Sequence, residues 1–389
     1  MNFFVTYSSV GLSDSMMLSF VTPVPSGSDA KTQAFPTPFR SASAREISLV
    51  LRPMPGEGIA ELFGRLADGL QGAAILHLQV FGLTGASAAV MTTMQKIFGK
   101  VDWPVTWAEG AACDGGIIAG IEVAAFTGGV ERLRAGGRVM GSVFSDESAR
   151  HCLLGGLKPA RPGSSRADQA KQTLKKMESV LGQAGFSLAD TVRTWFFLDD
   201  ILSWYDEFNR VRTQVYSGIK FRAGSLPAST GVGARNPGGA ALTVVARAMQ
   251  PLSDHARAEE IASPLQCPAP AYGSSFSRAM EVSGAAGRRL FISGTASIAP
   301  GGETLWQGEI HRQVDLTMKV VEALLRSRGF SFADLTRSTA YFKNPSDVSV
   351  FTDWCAQYDL SLLPVVAARC DLCRDNLLFE LEAEAQQTA

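Results

Sequence analysis

Residues 369–383 read RCDLCRDNLLFELEA. This pattern predicts a strand, a polar turn at Arg374-Asp375-Asn376, and a second strand in which apolar and acidic residues alternate. Because successive side chains of a strand point to opposite faces, the apolar residues share one face and Glu380 and Glu382 share the other. A carboxyl group facing inward has a raised pKa, which suits a proton donor. The alternative is that both carboxylates meet solvent.

Length and charge narrow the class of protein. A chain of 389 residues is long enough for two to three domains. Its formal net charge of −1 leaves no basic excess to neutralise phosphates, so we expect no nucleic-acid partner and no membrane surface. No stretch of about twenty apolar residues is present, so no spanning helix is predicted. The apolar segment 16–24 follows no basic region, which makes a secretory signal the weaker alternative.

The cysteines indicate a reducing compartment. Six are present, and only Cys370 and Cys373 form a CxxC pair, with no second CxxC or CxxH to complete a zinc site. No phosphate-binding glycine loop or Ser-His-Asp arrangement is visible either. We therefore predict a cytoplasmic protein that uses no metal and no cofactor.

One order of elements occurs three times: a hairpin, a helix, a strand, a second helix and two closing strands. The predicted divisions are an N-terminal arm at 1–45, a truncated module at 46–130 whose opening hairpin is missing, a second module at 131–250, a linker at 251–268, and a C-terminal module at 269–389 that carries the main site. Such recurrence predicts an α+β fold with helices on one face of each mixed sheet. Three such sheets leave apolar faces that need a partner, which favours packing around a pseudo-threefold axis within one chain.

The predicted elements rest on apolar periodicity. Helices are expected at the stripes that start with Ile59, Val90, Leu174 and Trp204, at the helix ending near Gly329, and at the helix through Phe351. The second-module helix should stop at Gly185, a typical helix-ending residue. Strands are expected at 74–81, 104–107, 117–125, 152–156, 191–198, 228–232, 241–246, 290–294 and 338–342.

Several segments resemble the Rid (reactive-intermediate deaminase, YjgF-like) superfamily over roughly residues 45–385. They are Gln313–Gly329 followed by 331–336, Gln172–Gly185 with 187–193, and the ending Leu378–Ala385. The resemblance implies chorismate-mutase-like βαβ modules packed as a pseudo-trimer, with an inner β-barrel, outer helices and pockets between modules. The glutamate that assists water attack in this family falls on Glu380. The family's carboxylate-gripping arginine does not carry over, since valines follow Pro364 and Ala228-Ser229 follow Pro227, which argues against imine deamination.

A second resemblance is to the chorismatase group of this superfamily, which hydrolyses the enolpyruvyl ether of chorismate and belongs to secondary metabolism. It rests on Tyr272–Ala279, Ser293–Ile298, Gly308-Glu309 with Gln313, Pro227–Gly233, and the spacing from Cys373 to Glu380. Trp306 stands where that group tends to carry a histidine, so substrate recognition can differ. The resemblance implies Glu380 and Cys373 as catalytic residues. The implied substrate-binding residues are Arg278, Arg374, Phe276, Gly294, Thr295 and Tyr341.

Each candidate also has a purely structural alternative. Cys373 can be a small buried apolar residue, Arg278 and Arg374 can form surface ion pairs, and Ser293-Gly294 can be only a turn. Glu122, with Cys113 upstream, is interpreted as the first-module counterpart of Glu380. Thr243 takes that position in the second module, so one dominant site is expected.

Three functions follow as hypotheses. The first is a cofactor-free hydrolase or lyase acting on chorismate or a similar small carboxylated enol ether. The second is a Rid-type enamine or imine deaminase, or another cofactor-free reaction on a reactive intermediate. The third is a non-catalytic protein that binds a small molecule. The expected partner is a small carboxylate-bearing substrate, and the chain is expected to be a monomeric pseudo-trimer or a homo-oligomer.

Overall fold

The computed structural model describes residues 37–40 and 44–388 of the chain. These residues form six α-helices and 18 strands arranged in three sheets, which is an α+β architecture. None of the helices in this range is long and apolar enough to cross a membrane. The six cysteines are all free.

The elements follow the chain in three groups. The first contains β1 (Thr37–Arg40), β2 (Arg45–Leu51), α1 (Ile59–Leu70), β3 (Ala74–Gly82), α2 (Ser87–Phe98), β4 (Val105–Ala108), β5 (Ala111–Ala112) and β6 (Ile118–Phe126). The second contains β7 (Glu131–Ala135), β8 (Arg138–Ser145), β9 (Ala149–Leu157), α3 (Arg166–Gly182), β10 (Thr191–Leu198), α4 (Tyr205–Tyr216), β11 (Ala228–Gly233) and β12 (Leu242–Pro251). The third contains β13 (Arg257–Ile261), β14 (Ala279–Gly284), β15 (Gly287–Ala296), α5 (Ile310–Ser327), β16 (Leu335–Phe342), α6 (Val348–Gln357), β17 (Val365–Arg369) and β18 (Phe379–Thr388).

The three sheets share one strand order. The orders are β1-β2-β6-β3-β4, then β11-β10-β12-β9-β8-β7, then β13-β14-β15-β18-β16-β17-β5. In each sheet a hairpin is followed by the last strand of the group and then by a parallel pair, β3/β4, β10/β11 or β16/β17. A helix connects each parallel pair, as a parallel connection requires. The described strands form three open sheets, and none of these sheets closes on itself.

The periodic elements lie where the sequence predicts them. Helix α1 begins at Ile59 and buries the predicted stripe, and β10 spans the predicted 191–198. Helix α3 ends at Gly182, three residues before the predicted Gly185, which closes the following turn with φ +74°. Positive φ is the backbone conformation that glycine adopts without strain.

Two hairpin predictions are wrong. The opening hairpin expected to be missing from the first module is present, because β1 pairs antiparallel with β2. Its first strand, of sequence TPFR, is too short to show an alternating pattern. The predicted closing hairpin at 369–383 does not form. Strands β17 and β18 lie on opposite sides of β16, since the crossover through α6 carries β17 to the outer side.

The structure describes little of the predicted N-terminal arm and changes the interpretation of the predicted linker. Apart from 37–40 and 44–45, the expected arm at 1–45 lies outside the described residues. Inside the segment interpreted as a linker, β13 pairs with β14 and extends the third sheet. That strand carries mostly charged residues at the sheet edge, and its sequence RAEEI shows little apolar alternation.

The core has one layer between each sheet and its helices and one layer shared by all three sheets. Clusters around α1/α2, α3/α4 and α5/α6 form the first kind. The shared cluster contains Phe81, Phe197 and Tyr341, whose rings meet edge to face with centroids 6.0 Å apart for Phe81–Phe197 and for Phe81–Tyr341. Since these three residues lie on β3, β10 and β16, they mark equivalent positions of the three sheets.

Candidate active site

A cleft lies where the second and third sheets meet. Strand β11 is at the edge of its sheet and packs against β15 of the next sheet. Two hydrogen bonds join them: the N–H of Ser229 donates to Ser293 Oγ (2.8 Å) and the N–H of Gly294 donates to Thr230 Oγ1 (3.0 Å). The space in and in front of the cleft, open solvent included, is about 530 Å³.

Six of the eight predicted site residues line this cleft. They are Glu380, Cys373, Arg278, Arg374, Phe276 and Gly294. Thr295 and Tyr341 lie elsewhere. The Thr295 hydroxyl donates to the carbonyl of Ser293 (2.8 Å), and the Tyr341 hydroxyl donates to Glu382 (3.0 Å) from the shared core.

Glu380 is a buried carboxyl group with 4% exposure on β18. Burial raises its pKa to about 8, repulsion from Glu382 adds to the rise, and Arg193 and Arg278 partly oppose it. The Glu380 carboxyl group is therefore protonated at neutral pH. Both faces of β18 are buried, so the alternative in which Glu380 and Glu382 meet solvent is wrong.

Gly294 lets the Glu380 carboxyl group approach the wall of the cleft. A Cβ at this position would overlap Glu380 Oε1 and would lie 3.2 Å from Thr230 Cγ2. The register of β15 against β18 shifts between Ile292 and Thr295, which places Gly294 in a bulge. Bulges redirect side chains next to functional sites. Only glycine fits at 294 without moving the carboxyl group.

Cys373 holds a neutral thiol beside Glu380. Burial raises the pKa of this thiol to about 12, and repulsion from Glu380 adds to the rise. A thiol reacts as a nucleophile through its thiolate. The geometry thus suits Cys373 to packing or to orienting a small molecule, and not to covalent catalysis.

Three guanidinium groups line the cleft: Arg212, Arg278 and Arg374. Arg212 donates to Asn209 Oδ1 (2.7 Å), Arg278 to the carbonyl of Cys267 (3.0 Å), and Arg374 to the carbonyl of Gly302 (2.8 Å). Within the described part of the chain, none of the three has a carboxylate at ion-pairing distance.

Two of these arginines are deeply buried, and each has a nitrogen without a hydrogen-bond partner among the described residues. Arg212 and Arg278 are 1% and 3% exposed. Arg212 Nε and Arg278 Nη2 have no hydrogen-bond partner among the described residues. A buried cation without a counter-charge is costly, so the cleft is built to receive an anion.

Tyr272 organises the mouth of the cleft. The guanidinium carbons of Arg278 and Arg374 lie 5.3 and 5.4 Å from its ring centre, within cation–π range. Burial raises the pKa of its hydroxyl to about 12. The uncharged Tyr272 ring therefore forms cation–π contacts with both arginines.

Sequence reasoning missed Arg212, Tyr205 and Tyr272. Tyr272 lies within a segment that was singled out, and its neighbours Phe276 and Arg278 could have drawn attention to it. Arg212 and Tyr205 belong to α4 of the second group, whereas Glu380 belongs to the third. No pattern within α4 indicates that this helix faces the site of another module.

Glu382 lies deep inside the protein. Its exposure is 2%, so it lies neither at the mouth of the cleft nor at the protein surface. Its carboxylate forms an ion pair with Arg193 (2.5 Å) and another with Arg337 (3.1 Å). An alternating strand at a sheet–sheet interface buries both of its faces, which the alternation alone cannot reveal.

Glu122 is the counterpart of Glu382 and not of Glu380. Glu380 pairs with Tyr341 across the sheet, and the residue that pairs with the equivalent Phe81 is Gly120. Glu122 pairs with Gln79, just as Glu382 pairs with Thr339. The predicted match of Glu122 with Glu380 is therefore wrong by two residues. A shift of two residues keeps each side chain on the same face of the strand, so the alternating pattern does not reveal it.

The other two modules lack the acid at this position. A Cβ on Gly120 would lie 2.7 Å from Val366 Cγ2, so a valine of the third sheet occupies that space. In the second module Thr243 pairs with Phe197 and takes the position, as the sequence indicates. Among the described residues, no group of His, Cys, Asp and Glu side chains is arranged to hold a metal ion.

A family model and several known proteins are similar to this chain. The family model described as Endoribonuclease L-PSP matches residues 158–245. A 3-hydroxybenzoate synthase of Streptomyces hygroscopicus is 27% identical over 233 residues, 53% of this chain and 66% of that protein. A chorismatase of Streptomyces rapamycinicus is 28% identical over 226 residues, 52% of this chain and 65% of that protein. The chain thus spans slightly less than two thirds of the length of these relatives.

A shorter relative and a solved structure complete the comparison. A RutC family protein of Pyrococcus horikoshii is 30% identical over 101 residues, 26% of this chain and 80% of that protein. A crystal structure of a chorismatase has the same fold, with a TM-score of 0.62 and 20% identity over 87% of this chain and 98% of that one. The chain therefore belongs to the Rid (YjgF-like) superfamily and has chorismatase-like relatives within it.

Proposed function

We propose that this protein is a cofactor-free hydrolase or lyase that acts on chorismate or a similar small carboxylated enol ether, with Glu380 as the proton donor. The observation that carries the proposal is the pairing of a protonated Glu380 with Arg212, Arg278 and Arg374 in one cleft. A neutral acid beside three cations without counter-ions suits a substrate that carries carboxylates and must be protonated on carbon.

The proposed reaction uses one proton and one water molecule. Glu380 gives its proton to the terminal carbon of the vinyl group, and the electron pair of the double bond forms the new C–H bond. Water adds to the oxocarbenium-like carbon and loses a proton to the Glu380 carboxylate. The resulting hemiketal breaks its C–O bond to release pyruvate and the ring alcohol, and Glu380 again holds a proton.

The arginines bind and orient the substrate in this proposal. Guanidinium groups match carboxylates through paired hydrogen bonds, and Arg212, Arg278 and Arg374 all line the cleft. Phe276 and Tyr272 pack beside Arg278 and give the cleft an apolar wall for a ring. Cys373 lies beside Glu380 as a neutral group that positions substrate or water.

Relatives support the reaction class. The 3-hydroxybenzoate synthase and the chorismatase are 27% and 28% identical to this chain over about half of its length. An elimination that yields an aromatic acid is the lyase form of the proposal. Deamination of imines is the less favoured reaction, because Ser229 and Val366 occupy the strand positions where the resemblance to Rid deaminases implies an arginine.

The proposal includes the assembly of the molecule. The three groups of elements correspond to modules at about 46–130, 131–250 and 269–389, and the first extends to β1 through its hairpin. We propose that they pack as a pseudo-trimer around the aromatic trio of Phe81, Phe197 and Tyr341, with their inner faces in a barrel-like arrangement. A cytoplasmic location belongs to the same proposal.

A substrate screen tests the function. Purified protein is incubated with chorismate, isochorismate and 2-aminoacrylate, and pyruvate, ammonia and ring products are followed. Pyruvate with a ring alcohol or aromatic acid supports the proposal. Release of ammonia from 2-aminoacrylate without turnover of either enol ether contradicts it in favour of a deaminase. Saturable binding of an enol ether without turnover indicates a binding protein.

A further inference from the structure

Glu382 lies next to the proposed acid on the same face of β18. Its carboxylate receives hydrogen bonds from two sheets. The donors are Arg193 and Thr230 of the second sheet and Arg337, Thr339 and Tyr341 of the third. These donors from two sheets hold the Glu382 carboxylate in place, two residues along β18 from Glu380.

Thr230 links Glu382 to the wall of the cleft. Its hydroxyl donates to Glu382 Oε2 and accepts the N–H of Gly294 at 3.0 Å. Gly294 is the residue against which the Glu380 carboxyl group lies. A continuous path of contacts therefore runs from Glu382 through Thr230 and Gly294 to Glu380.

We propose that Glu382 is a positioning residue for the reaction at Glu380: its carboxylate, held by Arg193 and Thr230, keeps the proton on Glu380 and holds the Gly294 wall in place. The inference rests on the proposed function, since it assigns how the proton donor is set. Glu382 itself does not line the cleft.

The charges around the two carboxyl groups support this assignment. Glu380 faces Glu382 on its own strand, Arg193 of β10, Arg278 of the loop before β14, and the uncharged Cys373 and Tyr205. Repulsion from Glu382 helps to raise the pKa of Glu380, next after burial.

The two arginines that form ion pairs with Glu382 differ in how many carboxylates each of them contacts. Arg337 also pairs with Glu122 (2.6 Å) and Glu384 (2.6 Å), whereas Glu382 supplies the ion pair of Arg193 within the described chain. Removing the charge of Glu382 thus takes away a repulsion on Glu380 and leaves Arg193 without its carboxylate. Both changes favour the ionised form of Glu380.

The experiment titrates Glu380 directly, without substrate. The carbonyl stretch of the protonated carboxyl group is isolated by infrared difference between each protein and its Glu380→Gln version, across pH 5 to 10. In Glu382→Gln we expect the midpoint to fall by about one pH unit or more. Glu384→Gln is the matched control, with a charge removed from the same face of β18, and its midpoint should stay within about 0.3 units.

Two results overturn the charge part of the proposal. One is a folded Glu382→Gln protein whose Glu380 midpoint equals that of the unchanged protein. The other is an equal shift in Glu384→Gln. Where turnover is measurable, the alkaline limb of kcat/KM should move down with the midpoint in Glu382→Gln.

Thr230 tests the positional part at constant charge, and it serves even if Glu382→Gln does not fold. Thr230→Val removes the bonds to Gly294 and Glu382, and turnover should fall about tenfold with KM changed less than about threefold. Thr230→Ser restores the hydroxyl and should restore turnover. A Thr230→Val protein with unchanged turnover overturns this part.

The failures of the two proposals are distinguishable. A protein that turns over no enol ether, yet shows the lower Glu380 midpoint in Glu382→Gln, defeats the proposed function and leaves the coupling standing. A protein that turns over an enol ether with an unmoved midpoint does the reverse.

Discussion

At the scale of the residue, Glu380 keeps its proton near neutral pH because it is buried and none of the described residues forms an ion pair with it. The neighbouring Glu382 receives the ion pairs instead. Two carboxyl groups two positions apart on one strand face thus have different surroundings: within the described chain, Glu382 forms two ion pairs and Glu380 forms none. Separation of this kind is how an acid and a fixed charge are assigned within one site.

Replacing Glu380 with Gln should lower turnover of the enol ether by about 10²–10⁴. The amide keeps the shape of the protonated acid but has no proton to give, so substrate binding should change little. Rates and binding are compared by pyruvate release and calorimetry. The control is Glu322→Gln on the exposed side of α5, which should behave as the unchanged protein. Near-normal turnover by Glu380→Gln would defeat the proposed mechanism.

The same group predicts how stability depends on pH. The ordinary pKa of Glu380 is 4.5, and in the fold it is about 8. Between these values the unfolded chain loses the proton and the folded chain keeps it. The free energy of unfolding should therefore fall as pH rises, by up to about 1.4 kcal/mol per pH unit from this group, and level off above pH 8.

Urea denaturation at pH 5, 6.5 and 8 measures this dependence. Glu380→Gln cannot lose a proton there, so its stability relative to the unchanged protein should increase with pH over this range. A difference that stays constant from pH 5 to 8 would mean that Glu380 is already ionised in the folded protein.

At the scale of the element, the bulge in β15 and the strand β18 form one unit. The bulge turns Gly294 toward Glu380, and the same β15 segment makes both hydrogen bonds to β11: Ser293 Oγ accepts the N–H of Ser229, and the N–H of Gly294 donates to Thr230 Oγ1. Helix α4 brings Arg212 to the other side of the cleft from a different sheet. The acid and one of its cations are thus held by rigid elements rather than by a mobile loop.

Gly294→Ala should lower turnover about tenfold or more, because the new methyl group would displace the Glu380 carboxyl group. Overpacking of this kind also costs about 1–3 kcal/mol of stability. Gly129→Ala is the control, since a Cβ at Gly129 meets nothing within 4 Å and its φ is not positive. Steady-state rates and thermal unfolding are the measurements. Equal rates for both variants would show that the contact at Gly294 has no role in turnover.

At the scale of the whole molecule, three sheets of one strand order meet around Phe81, Phe197 and Tyr341, yet their equivalent positions carry different chemistry. The position of Glu380 is Gly120 in the first sheet and Thr243 in the second. Val366 fills the space at Gly120. Only one of the three equivalent positions keeps a carboxyl group and an open cleft beside it.

Calorimetry should therefore find one ligand bound per chain. Glu380→Gln is used with chorismate so that binding is measured without turnover. Arg278→Met in the same protein should weaken that binding event, because it removes one of the cleft's cations. Two or three equivalent events per chain would show that the other sheet junctions also bind the ligand, and an event unaffected by Arg278→Met would place the site elsewhere.

The sequence alone predicted the helices, most of the strands and the α+β class, because apolar periodicity is a local property of each segment. It missed β1 and β13, whose short or charged sequences show little periodicity. The family resemblance in the sequence also predicted a shared site for six residues that the structure places in one cleft. They are Glu380, Cys373, Arg278, Arg374, Phe276 and Gly294. The glycine at 294 and the acid at 380 are far apart along the chain. Their direct contact follows from the pairing of β15 with β18.

The tertiary structure decided what depends on contacts between the three sheets. It placed Arg212 in the cleft, buried Glu382, and moved Glu122 from the proposed acid's position to that of Glu382. A period-2 pattern is the same for a strand with one buried face and for a strand buried on both, and it is unchanged by a shift of two residues. Which faces are buried, and which residues pair, is set only when the three sheets pack against one another.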